Sequence, residues 1–265
     1  MPSSTTYSPE SYAVIIRALV TQGWHFSSFV EKIAPERSVF LRHDIDYTLA
    51  WAVETARINA RLGATGTFFL QVRCDLYNIF SYESRRMIEE IRQLGQLFGF
   101  HHVISQGCSD IDAVAEELRR DYALFLQAVP WSQPVFAWHN PAHMTQSGFM
   151  HLRDEFPGLA NAYGAFAGGQ PPYYSDSNAR YSPEEILAII EREQQSFQLA
   201  LAPMLWQTGQ PDMPRALGAL LARKTQDCEA AFMENDVFRA MHPRGIPPHT
   251  LASIAESIGH PEAAS

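Results

Sequence analysis

Long apolar runs are missing from this 265-residue chain. Nothing approaches the roughly 18 uninterrupted apolar residues of a bilayer span, so no transmembrane helix is expected. Cysteine is scarce as well: Cys74, Cys108 and Cys228 are odd in number, far apart and without a CxxC pair. That excludes a disulfide framework and fits free thiols in a reducing cytoplasm. Basic residues are outnumbered, 20 Lys and Arg against 29 Asp and Glu, for a formal net charge of −9. Such a balance argues against a nucleic-acid or anionic-membrane surface. The stretch MPSSTTYSPESYAV lacks a basic segment followed by an apolar core, so no signal peptide is expected and the cytoplasm is the expected location. Internal repeats and low-complexity tracts are absent too.

What is present is an ordinary globular composition, 46% hydrophobic and 18% charged. The whole of 1–265 reads as a single catalytic-type domain, with an N-terminal helix over 8–22 and peripheral C-terminal helices over about 211–260. Ser8-Pro9-Glu10 supplies a cap, a first-turn proline and an early acid. Ser182 and Glu185 have capping-box spacing ahead of ILAII. Ile111, Ala115, Leu118, Tyr122 and Phe125 recur at helical spacing. Between the helices lie short apolar runs: SVFL, GTFFL, FGF, PVFAW and FQLAL. Strands alternating with helices predict an α/β fold with a parallel sheet.

Several runs end in chemistry. VFL gives way to Arg42-His43-Asp44-Ile45-Asp46, FGF to His101-His102, and PVFAW to His139-Asn140. Functional groups collect at the carboxyl ends of parallel strands. Charged groups there are costly unless paired, solvated or bound to a metal. A carboxylate with two or three imidazoles suits a divalent transition metal, zinc first, with iron, nickel or cobalt as alternatives. Singly, each has a plainer use: Asp44 or Asp46 caps a helix or pairs with Arg42, the histidines are structural, and Trp138-His139-Asn140-Pro141 is a turn. Three independent strand ends with the same chemistry outweigh these.

The succession LRHDID, GATGTFFL, YNIFSYE, LGQLFGFHH, WHNP and YYSDSN resembles the polysaccharide deacetylase (carbohydrate esterase family 4) superfamily. It is most similar to the intracellular branch whose first motif reads HDVD rather than FDDG. The resemblance spans roughly residues 10–210. It implies a distorted (β/α) barrel of about seven strands, a divalent metal, and hydrolysis of an N-acyl group on a small substrate, sugar-derived ones among the candidates. It implies Asp44 as the catalytic base and Asp46 as a metal ligand, roles that a one-position shift of HDID would exchange. His101 matches the ligand histidine, and His139 is the second imidazole, with His102 as competitor or acid/base group. Asp176, in YYSDSN, would orient a ligand or substrate, or serve as an Asx-type loop residue. Arg42, Trp138, Asn140 and Tyr174, with Tyr173, are candidates for the substrate side.

Two departures bear on the chemistry. Gln96-Leu97 replaces a polar pair of the branch, and Ala202 stands where the family pattern has the histidine that protonates the leaving amine. Loss of a general acid costs about 10²–10⁴ in rate. His102, His143 and His242 are candidate substitutes. Three functions therefore stand side by side: a metal-dependent C–N hydrolase; a metal-dependent lyase, isomerase or iron-dependent oxidative enzyme; and a non-catalytic relative.

Overall fold

A computed structural model describes residues 6–31, 36–105, 110–139, 156, 158–164 and 171–245. The chain divides into two compact units, Met1–Ala216 and Leu217–Ser265. The first unit contains an α/β sheet. Its strands are β1 (His25–Phe26), β2 (Ser38–Ile45), β3 (Thr67–Leu70), β4 (Leu97–Val103), β5 (Val135–His139), β6 (Ala160–Asn161), β7 (Tyr173–Ser175) and β8 (Phe197–Ala200). The helices α1 (Pro9–Thr21), α2 (Leu49–Leu62), α3 (Tyr82–Gln93), α4 (Ile111–Ala128), α5 (Pro183–Arg192) and α6 (Pro203–Thr208) lie between and around them. Helix α7 (Met213–Met233) crosses the boundary between the units, and α8 (Asp236–Met241) belongs to the second.

Every strand pairing is parallel, in the order β6-β5-β4-β3-β2-β8-β7, with β1 added beside β2. The expected α/β architecture of about seven strands is present as this seven-strand path. The sheet curls on itself. Gln198 of β8 donates from Nε2 to the carbonyl of Ala162, just past β6, at 2.9 Å, although four strands separate β8 from β6 along the path.

Strand parity decides what each residue meets, because successive side chains point to opposite faces. On the convex face Phe68, Leu70, Phe98, Phe100, Phe136 and Trp138 pack under α2, α3 and α4 with Ala52, Ile88, Leu118 and Phe125. On the concave face Phe40, Phe69, Val135 and Ala137 form the floor of the interior with Phe29. Gly99 pairs with Phe69 across β3 and β4, and a Cβ there would lie 2.5 Å from Phe69 Cε1. The ring thus fills the space a side chain would need. Above this floor the concave face turns polar, through Arg42, Asp44 and His101.

The helix caps follow the sequence. Ser8 accepts from Ser11 N at 3.1 Å, and Glu185 N donates to Ser182 Oγ at 3.2 Å while Ser182 N donates to Glu185 Oε2 at 2.7 Å. Each cap contributes about 1 kcal/mol. Among the described residues, no helix is long and apolar enough to cross a membrane.

Candidate metal centre

Strand β2 carries Asp44 on the concave face and releases Asp46 one residue beyond its end, with the same parity. From β4 comes His101, and β5 ends in His139. Asp46 Oδ1 lies 3.2 Å from His101 Nε2 and 3.1 Å from His139 Nδ1, and the two ring nitrogens are 3.3 Å apart. The motif alone leaves the two aspartates exchangeable, whereas the geometry separates them: it is Asp46 that sits between the imidazoles. Asp44 Oδ2 stands 3.9 Å from His101 Nε2, beside the trio.

The donor set fits a divalent cation. His101 is 2% exposed, and its Nδ1 lies 3.2 Å from the carbonyl of Ala137. A carbonyl only accepts, so Nδ1 carries the hydrogen and Nε2 turns a lone pair towards Asp46. Burial disfavours a charged His101, yet Asp44 and Asp46 outweigh it and hold its pKa above the usual value. Burial likewise opposes a charged Asp46, but His101 and His139 outweigh it and hold its pKa well below the carboxylate range. The site therefore draws positive charge to its centre, which a proton or a metal ion supplies. Gln71 orients the trio, donating from Nε2 to Asp46 Oδ1 at 2.6 Å and lying 3.3 Å from His139 Nδ1.

Asp44 is held by Arg42 through two parallel bonds, Nε to Oδ1 at 2.7 Å and Nη2 to Oδ2 at 2.8 Å. The same Nη2 donates to the Tyr163 hydroxyl at 3.0 Å, and the guanidinium lies 4.5 Å from that ring's centre. A cavity of about 470 Å³ opens onto the site, lined by Asp44, Asp46, Tyr47, Gln71, His139 and Asp176 among others.

No family model matches the sequence, and no curated protein matches it. Among solved structures, the chain is similar to a CE4 family pseudoenzyme from Bacillus anthracis, BA3943, at 14% identity and a TM-score of 0.46. That match covers 77% of this chain and 64% of the other, so the chain spans under two thirds of that protein's length. It is also similar to IcaB from Ammonifex degensii, at 15% identity and a TM-score of 0.41, over 69% of this chain and 89% of that one. Both are remote likenesses, and neither carries a function to this chain.

Several expected site residues lie elsewhere. His102 is adjacent to His101 and so faces the convex side, where it is fully buried against Phe100 and Trp138. It is neither a ligand nor a group facing the cavity. Trp138 is 1% exposed and packs edge-on to Phe136 and Phe156, so it is core rather than substrate platform. Arg42 is fully buried beneath Asp44, which takes it from the substrate side to the support of a carboxylate. Tyr174 points away, donating to Glu193 Oε1 at 2.5 Å; its neighbour Tyr173 faces Arg42 at 6.0 Å. Asp176 does line the cavity. Asn140 and His143 lie outside the described residues, and His242 closes α8 in the second unit. Gln96 sits at the opposite end of β4 from His101, binding Gly66 N and Ala64 O, so its departure from the branch pattern does not touch the site.

Two residues of the site, Gln71 and Tyr163, do not stand out in the motifs. Gln71 is the first polar residue after the GTFFL run, the same signal that singles out His101 and His139. Tyr163 follows a two-residue strand that has no periodicity to read.

His102 carries a prediction. Neither ring nitrogen has a hydrogen-bond partner among the described residues, and burial lowers its pKa to about 4 despite Glu117 and Asp121. His43, also on the convex face, is lowered to about 4 by burial. The unfolded chain takes up a proton on each near pH 6.5, the folded chain only near 4. Stability is therefore full above 6.5 and falls as pH drops towards 4, by up to roughly 3 kcal/mol per histidine. His102→Leu should keep or raise the urea midpoint at pH 7 and flatten its fall between pH 6.5 and 4.5. A lower midpoint at pH 7 with an unchanged acid slope would refute this.

Proposed function

We propose that the chain is a metal-dependent hydrolase that cleaves the C–N bond of a small N-acylated molecule, an amino-sugar derivative being the first candidate. The observation that carries this is Asp46, His101 and His139 converging on one point, with Asp44 beside them at the mouth of a cavity. The motif resemblance to the polysaccharide deacetylases supports the same chemistry. Zinc is the first candidate for the ion, ahead of cobalt, nickel or iron. When bound, such an ion polarises an acyl oxygen and makes a water acidic near neutral pH.

The chain's own groups do the rest. Asp44, fixed by two bonds from Arg42, accepts a proton from the attacking water. His101, fixed on Ala137 O, and Gln71, fixed on Asp46, keep the trio in place before substrate arrives. The cavity suits a small molecule, being within the range of small-ligand sites. Asp44, Asp46, Asp75 and Asp176 line it, and its guanidinium, Arg73, is bound in parallel to Asp121 at 2.6 and 2.9 Å. That charge favours an uncharged or amine-bearing substrate over a phosphorylated one. We assign the chemistry to the first unit, with no nucleic-acid or membrane partner, and place the protein in the cytoplasm.

The test is acetate release from a panel of N-acetylated amino sugars and amines, with protein stripped of metal and reloaded with zinc or cobalt. Release that depends on the ion is expected. A metal-loaded chain that consumes oxygen, or whose product lacks the elements of water, would replace hydrolysis with another reaction. Failure to take up any ion would leave a non-catalytic relative.

A further inference from the structure

Amide cleavage needs a proton for the departing nitrogen, and Ala202 has no side-chain group to give one. The candidate substitute histidines do not line the cavity among the described residues: His102 is buried on the convex face, and His242 lies in the second unit. Tyr47 lines the cavity, but a phenol, with an ordinary pKa of about 10, is a weak acid. Two carboxyls remain, and of these Asp75 is exposed to solvent, which leaves the buried one. Asp176, beyond the end of β7, is 1% exposed and lines the same cavity as Asp44, Asp46, His139 and Ala202.

We propose that Asp176 is the general acid of this site, giving its proton to the leaving amine from beside the position where Ala202 lacks a donor. This rests on the hydrolytic reading above. Its carboxyl is held in place by neutral N–H groups. Oδ2 accepts from Trp206 Nε1 at 2.6 Å and from Ala202 N at 2.9 Å, while Oδ1 has a second, longer contact with Ala202 N at 3.1 Å. Oδ2 is thus engaged by the two shorter bonds, which leaves Oδ1 as the oxygen to carry the proton. The titratable groups acting on it are Asp44 from β2, Tyr7 ahead of α1 and Tyr12 of α1; α6 contributes the neutral Trp206 and Ala202 N–H groups. Burial raises the Asp176 pKa to about 7, and Asp44 acts in the same direction against the N–H bonds from Trp206, Ala202 and its own backbone. A carboxyl that is still protonated near neutral pH matches the task of an acid.

In the step itself, water oxygen bonds to the acyl carbon as Asp44 takes one of its protons. The C–N bond then breaks with its electron pair passing to nitrogen, which receives the Asp176 proton. A carboxylic acid and a neutral amine leave. Asp44 has gained one proton and Asp176 has lost one, and exchange with solvent restores both.

The test compares two probes with the same acetyl group and the same ring. p-Nitrophenyl acetate expels a phenolate that needs no proton, whereas p-nitroacetanilide expels a nitrogen that does. With the zinc-loaded full chain, Asp176→Asn should lower kcat/KM on the anilide by about 10²–10³, and on the ester by at least about tenfold less. The native anilide rate should fall as pH rises through about 7, a limb missing from the variant's residual activity. Independently of turnover, the metal-free native chain should show a protonated-carboxyl infrared band at pH 6 that Asp176→Asn abolishes. Equal losses on both probes would make Asp176 a structural residue, and an undiminished anilide rate would make it idle. Either result, or absence of the infrared band, overturns the acid role while leaving hydrolysis standing. A native chain inactive on both probes and on the N-acetyl panel removes the hydrolytic reading, and the acid role with it.

Discussion

With His101 replaced by alanine, the chain should bind zinc or cobalt at least about 100-fold more weakly than the native protein, and the proposed acyl hydrolysis should be lost in step. Removing a partner that merely orients a metal-bound histidine typically costs 10- to about 100-fold in affinity, and removing the ligand itself costs more. His101 is the most enclosed member of the trio, at 2% exposure, and its ring is fixed by a backbone carbonyl. Asp46 and His139, each about a quarter exposed, are left as a two-donor site open to water. Elemental analysis on protein purified without a metal-affinity tag, followed by competition with a chelator, measures the loss. Full retention of the ion by His101→Ala would move the metal site elsewhere. Gln71→Ala should weaken binding by less, since Gln71 holds a ligand without being one.

Asp44→Ala has a second large effect, on stability as well as on rate. It leaves the Arg42 guanidinium, fully buried, without its counter-charge. Breaking a buried pair by removing one partner costs roughly 3–5 kcal/mol, and the 21% exposure of Asp44 places this one near the lower end. The double variant Arg42→Met/Asp44→Ala should regain most of that loss in urea unfolding, because the uncompensated charge goes with the arginine. It should regain none of the hydrolysis, because the proposed base is still missing. If the single variant loses under about 1 kcal/mol, the pair is not the support proposed for Asp44.

The interior of the site is readable where the chain changes character abruptly. Apolar runs that break into His or Asp point, from the residues alone, to Asp46, His101 and His139 at one end of the sheet. The runs do not stop where the polar residues begin, however: β2 continues through Arg42, His43 and Asp44, and β4 through His101 and His102. Since the strand continues, parity governs which of two adjacent residues faces the cavity. Taking His101 with His102, or His139 with Trp138, as neighbours in chemistry overlooks that alternation. β1 and β6, of two residues each, leave no periodicity to find, and Tyr163 goes with β6. The YYSDSN motif draws attention to Asp176, but the groups that hold its carboxyl, Trp206 and Ala202, are 30 and 26 residues further on.

Strand β2 carries Asp44, leads directly to Asp46, and is paired on one side with β3, its successor, and on the other with β8. The bond from His43 Nδ1 to Leu201 O, which fastens that second edge, joins residues 158 apart. An order of events during synthesis follows. Asp44, the proposed base, leaves the ribosome well ahead of β8, and its strand has an open edge until the chain reaches Leu201, 158 residues beyond His43. Closing so long a loop is a late and slow event in folding. The nascent chain therefore holds Asp46, His101 and His139 for some time before it holds the finished cavity, and a chain truncated ahead of β8 carries the proposed ligands with no fixed wall beside them.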